Sequence, residues 1–98
     1  MKKSINPQAL EIQRRFFQAL DYGIETEKIK GGLKGFCDDH KLNRVKYVNI
    51  KNDFNRDEAE LKPHSYKVID LDALAYICND CKVSPEWLLF GRGKMRIE

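Results

Sequence analysis

An all-α fold of five helices is predicted by two features of this sequence. Apolar residues recur at three- and four-residue spacings, the period of one helix face. Helix punctuation brackets those stretches: Asn6-Pro7, Asn43, Asp70 and Ser84-Pro85 are start signals, and Gly31-Gly32 and Gly91 are stops. With 98 residues, 42% hydrophobic and 34% charged, the chain suits one domain with a modest core and is too apolar for a disordered segment.

The first helix starts with Asn6 as N-cap and Pro7 at the first helical position, where its missing N–H costs nothing. Leu10, Phe17, Leu20 and Ile24 form its apolar stripe, widened by Ile12 and Phe16, and it runs at least to Asp21. Gly31-Gly32 stops it at the latest. A second, short helix covers about 32–41, with Leu33, Phe36, Cys37 and His40 on one side. Asn43 then caps a third helix from Arg44 to about Asn52, with Tyr47 and Ile50 inward. Residues 53–69 are a long polar connection, with a helical turn at 57–61 and an extended stretch at 66–69. Asp70 caps a fourth helix whose core stripe is Leu71, Leu74, Ile77, Cys78 and Cys81. Ser84 and Pro85 start a short fifth, closed by Gly91. Residues 1–5 and 91–98 are tails.

No apolar run exceeds Trp87-Leu88-Leu89-Phe90, so no membrane partner is expected. Polar residues follow Met1-Lys2-Lys3 where a signal peptide needs an apolar stretch, which places the protein in the cytoplasm. Cys37, Cys78 and Cys81 are an odd set, which argues against a disulfide framework. The net charge of +3 is small but unevenly spread. Residues 28–52 hold seven basic and two acidic residues, whereas 53–81 hold three basic and seven acidic.

The basic block contains the arrangement that matters most, a helix-turn-helix over about 33–52. Two short helices crossing steeply need a small residue where they touch and apolar residues flanking the turn. Cys37 is that small contact, Leu42 the turn residue, and Tyr47 and Ile50 the inward anchors five and eight positions later. Arg44, Val45, Val48, Asn49 and Asn52 then project outward together. Such a face suits the major groove: arginine forks to guanine, asparagine pairs with adenine, and valine covers the thymine methyl. Lys34, Lys41, Lys46 and Lys51 flank it and are placed to meet phosphates, which position a protein without specifying sequence.

At these residues the chain resembles the lambda-repressor-like (Cro/repressor) helix-turn-helix family. Val83 to Met95 reinforces this, being similar to the "GVS-x-x-WLL-x-G-x-G-x-M" ending of prophage-type bacterial repressors. The resemblance covers most of the chain apart from 53–69. It implies a repressor-like transcription regulator that binds operators as a homodimer, with Asn43, Arg44, Val45, Val48 and Asn49 at the sequence-reading positions. Half-sites then lie about one helical turn, roughly 34 Å, apart. Three residues depart from the family pattern. Lys41 stands where the family has its turn glycine, so the bend must form with a non-glycine residue, for which the left-handed conformation is one option at a small cost. Cys37 replaces a small alanine and His40 a usually apolar residue. Asp38 and Asp39 add negative charge to the second helix.

Three other chemistries fit these residues less well. Cys37-x-x-His40 and Cys78-x-x-Cys81 have spacings found in zinc modules, but all three cysteines fall on apolar stripes and are read as small buried hydrophobes. His64-Ser65 is no triad, and Gly91-x-Gly93-Lys94 lacks the strand and spacing of a phosphate loop. No enzymatic activity, cofactor or small-molecule effector is expected, nor a second sensing domain. The alternative is a protein-interaction module on the same scaffold, antitoxin-like or an anti-repressor partner, working through the acidic 53–81 surface.

Overall fold

Five helices stand in the expected order in a computed structural model that describes residues 7–53 and 68–96. They are α1 (Pro7–Glu25), α2 (Gly32–Asp39), α3 (Arg44–Asp53), α4 (Leu71–Cys81) and α5 (Pro85–Phe90). The fold is all-α. Among the described residues the pairing of extended backbone is one antiparallel bridge, Val83 with Arg96. No helix among them is long and apolar enough to cross a membrane. The Asn6 cap, the turn at 57–61 and most of the polar connection lie outside the described residues.

α1 is the spine. It packs chiefly on α4 and α5, while α2 and α3 pack on each other. It continues past Gly23, because glycine at this point serves packing rather than termination. A Cβ there would collide with Cys81 Sγ and lie 2.9 Å from Ile29 Cδ1, so the missing side chain permits the close approach of α4. The buried stripe is Gln13, Phe16, Phe17, Ala19, Leu20 and Gly23, with Leu10, Ile12 and Ile24 half-buried beside it. Gln13 is inside because it lies on the same helical line as Phe16, Phe17 and Leu20, and its Oε1 accepts a 2.8 Å bond from the Ile69 N–H.

The α4 stripe is rotated from the expected one. Ala73, Ile77 and Cys81 are buried, Leu74 and Cys78 half-buried, and Leu71 is 86% exposed. Leu71 lies two residues, about 200°, from Ala73 at roughly 100° per residue, so an inward Ala73 turns Leu71 out. The Asp70 side chain does not cap α4 either; it bonds instead to α3, as described below. α5 starts as expected, with Ser84 Oγ accepting from Trp87 N at 3.4 Å and left-handed Gly91 ending it.

The expected C-terminal tail folds back through residue 96. Ser84 N donates to Met95 O at 2.8 Å, Met95 packs on the core, and Arg96 stands 5.8 Å from the Tyr22 ring. Arg15 of α1 reaches over to the end of α5. Its Nε donates to Leu88 O at 2.8 Å and its Nη2 to Leu89 O at 3.1 Å, satisfying carbonyls that a helix end leaves unpaired.

Candidate nucleic-acid interface

The connection between α2 and α3 is built from backbone hydrogen bonds around a left-handed lysine. Lys41 has φ 56°, in the region that favours glycine. Leu42 N donates to Cys37 O at 2.8 Å and Lys41 N to Asp38 O at 3.4 Å, the paired bonds of a Schellman ending. Asn43 then caps α3, its Oδ1 accepting from Lys46 N at 3.2 Å. Lys41→Gly is expected to stabilise the domain by about 0.5–1 kcal/mol, since a left-handed side chain costs roughly 1–2 kcal/mol and glycine's extra chain entropy returns part of it. Thermal melts of the two proteins check this.

α3 is anchored by its inner face. Tyr47 and Ile50 are buried, and the Tyr47 ring lies 6.0 Å from that of Phe16. This orientation turns outward most of the face expected from the sequence. Val45 is 63% and Val48 37% exposed; Arg44 and Asn52 are exposed, and Asn49 is half-buried. Asn43 is exposed too, with its carbonyl oxygen occupied by the cap.

The four lysines separate into two pairs. Lys34 and Lys41 are exposed. Lys46 is half-buried, with Nζ donating to Asp70 Oδ1 at 3.1 Å and standing 5.9 Å from the Tyr47 ring. Lys51 Nζ donates to Asp21 Oδ1 at 3.3 Å. These two can meet a phosphate only by leaving a carboxylate. Asp38 and Asp39 are both exposed on α2.

A polar clamp ties α3 to the start of α4. Tyr47 Oη donates to Asp70 Oδ2 at 2.8 Å and accepts from Asp70 N at 2.9 Å. The Tyr47 hydroxyl, then the Lys46 ammonium, hold the Asp70 carboxyl below its usual range against the opposing effect of desolvation. Desolvation and the neighbouring carboxylate push the Tyr47 phenol up. A depressed carboxyl favours the folded state above its unfolded value, and that contribution is lost as pH falls through the folded value. Stability is therefore expected to decline on acidification below about pH 4. Asp70→Asn should show a shallower decline in urea titrations run between about pH 3 and about pH 6.

The cysteines and His40 do not converge. Among the described residues, no group of three His, Cys, Asp or Glu side chains is arranged to hold a metal ion. His40 turns toward α4, where Nε2–H donates to Asp80 Oδ2 at 2.6 Å. Its ring stacks on Tyr76 at 4.0 Å and 7°, and meets Phe36 edge-on at 4.9 Å. Cys37 and Cys81 are buried and Cys78 half-buried. Burial raises all three thiols, Cys81 to about 11, so they stay protonated hydrophobes.

Neither the Tyr47–Asp70 clamp nor the His40–Asp80 pair is marked by any local pattern, because their members lie 23 and 40 residues apart. Gln13 was detectable, since the period of α1 carries it onto the buried line. No protein-family model matches the chain, and no curated protein or solved structure matches it at a significant level.

Proposed function

We propose that this protein binds double-stranded DNA sequence-specifically and regulates transcription by occupying its site, as a cytoplasmic homodimer with one α3 in each half-site. The observation that carries this is the division of α3 into two faces. Tyr47 and Ile50 fix it to the core, while Arg44, Val45, Val48 and Asn52 face outward, with exposed Lys34 and Lys41 nearby in the chain. Arg44 and Asn49 are the main base readers, Asn49 from a half-buried position, and Asn43, Val45, Val48 and Asn52 assist. A guanidinium, amides and small apolar groups on one helix match the mixed donor, acceptor and methyl pattern of a major groove.

The test is selection of duplexes from a random pool, followed by gel shifts at two salt concentrations. Binding should weaken with salt by a log–log slope of about −0.9 for each phosphate neutralised. Arg44→Ala is expected to cost about 1–3 kcal/mol and to relax sequence preference at one position. Absence of salt-dependent binding to every duplex would overturn the proposal. The alternative, a protein-interaction module, draws on Leu71, exposed between Asp70 and Asp72 at the start of α4. Leu71→Ser would then abolish partner binding, whereas a DNA-binding protein should tolerate it.

A further inference from the structure

We propose that the outer face of α3 recognises the 5-methyl group of pyrimidines, so that its preferred sites are marked by thymine or 5-methylcytosine; this rests on the DNA-binding reading above. The centre of the exposed face is apolar. Val45 is 63% and Val48 37% exposed, on a helix whose core contacts are made by Tyr47 and Ile50. β-Branched residues lower helix propensity, and at Val45, the more exposed of the two, little packing offsets that cost. The two valines are three positions apart, about 60° around the helix and roughly 4.5 Å along it. Bases on one strand rise about 3.4 Å per step, so the pair spans neighbouring base pairs.

The polar part of the face is narrower than its residue list implies. Asn43 Oδ1 is occupied by the cap of α3, and Asn49 is half-buried. Arg44 and Asn52 flank the valines as exposed polar groups. Exposed Arg44 beside Val45 and exposed Lys41 in the preceding turn supply positive charge complementary to phosphates, partly offset by exposed Asp38 and Asp39 on α2. That charge favours duplex DNA as occupant over an apolar peptide. In the major groove the apolar feature available to a valine is the C5-methyl of thymine. Methylation of cytosine installs the same group at the same ring position. The chemistry recognised is therefore the methyl, whichever base carries it.

The experiment uses the full chain and a duplex recovered by selection. The duplex is prepared unmodified, with deoxyuridine replacing thymine, and with 5-methylcytosine replacing cytosine. Loss of about fourfold in affinity for each contacted methyl removed in the deoxyuridine form is expected if thymine is the source. A comparable gain in the 5-methylcytosine form identifies methylated cytosine as a source. The double variant Val45→Ala, Val48→Ala should bind all three forms equally with an unchanged salt slope, and circular dichroism should show its helices intact. Equal binding of all three forms by the unaltered protein, with salt dependence preserved, overturns methyl recognition and leaves DNA binding standing. Failure to bind any duplex in a salt-dependent way overturns both.

Discussion

Phe16→Ala is expected to lower the stability of the domain by about 3–5 kcal/mol, the range for removing a large buried ring. At this chain length that corresponds to a fall in Tm of at least about 12 °C. The size follows from what the ring touches. Phe16 is fully buried and meets Phe17 at 5.0 Å and Phe36 at 5.9 Å, both edge-on, and Tyr47 at 6.0 Å. Those contacts join α1 to α2 and to α3 at one point. Removing the ring leaves a cavity lined by side chains from three helices, and closing it would require the helices themselves to shift. Small domains are stable by about 5–15 kcal/mol, so the loss is a large share of the total. Urea titration of purified variant and parent measures it. A loss below about 1.5 kcal/mol, the range of volume-conserving core swaps, would show that this junction is not the centre of the core.

Gly35→Ala should destabilise by about 3 kcal/mol, the upper end of the range for overpacking. A glycine inside a helix ordinarily gains about 1 kcal/mol on replacement by alanine, so the sign itself is diagnostic. Gly35 lies within α2, and a Cβ there would collide with the Lys30 carbonyl oxygen and sit 3.0 Å from the Lys30 carbonyl carbon. Backbone cannot rotate away as a side chain can. Relief requires moving the 30–31 turn, which carries Gly31 O, the acceptor of the Gly35 N–H at 2.9 Å. α2 would shift with it, and α3 packs on α2. If the DNA-binding proposal holds, this variant should weaken binding to all duplexes alike, because it displaces the reading helix without altering a reader. A stabilised Gly35→Ala protein would contradict the close approach at Lys30.

Local signals proved a reliable guide wherever the physics is local. Asn43 caps α3, Ser84-Pro85 opens α5 and Gly91 ends it. Each depends on backbone groups within four residues, and those are encoded side by side in the chain. The bend at the non-glycine Lys41 was legible only through the resemblance, which puts a glycine there. The inward placement of Tyr47 and Ile50 and the outward placement of Arg44, Val45, Val48 and Asn52 follow from helical period once α3 is recognised.

Partnerships across the chain were not legible. Asp70 has the residue type and position of a cap, yet its carboxylate goes to Tyr47 and Lys46, because a buried hydroxyl has more to lose unpaired than a solvated helix end. Leu71 looked like core and lies outside, since the contacts of Ala73, Ile77 and Cys81 with α1 set the rotation of α4. Gly23 lies inside α1 as a contact surface for Cys81, a role that α4 sets and its own neighbours do not. Lys46 and Lys51 looked free for phosphates and are paired with Asp70 and Asp21. By itself, then, the sequence determined the number and order of the helices, the starts of α3 and α5, and the composition of the outward face of α3. The tertiary structure alone decided how α4 is rotated, which lysines remain available, and what holds α3 in place. Helix formation is governed by neighbours three and four residues apart, whereas charge pairing and burial are settled between residues that only the fold brings together.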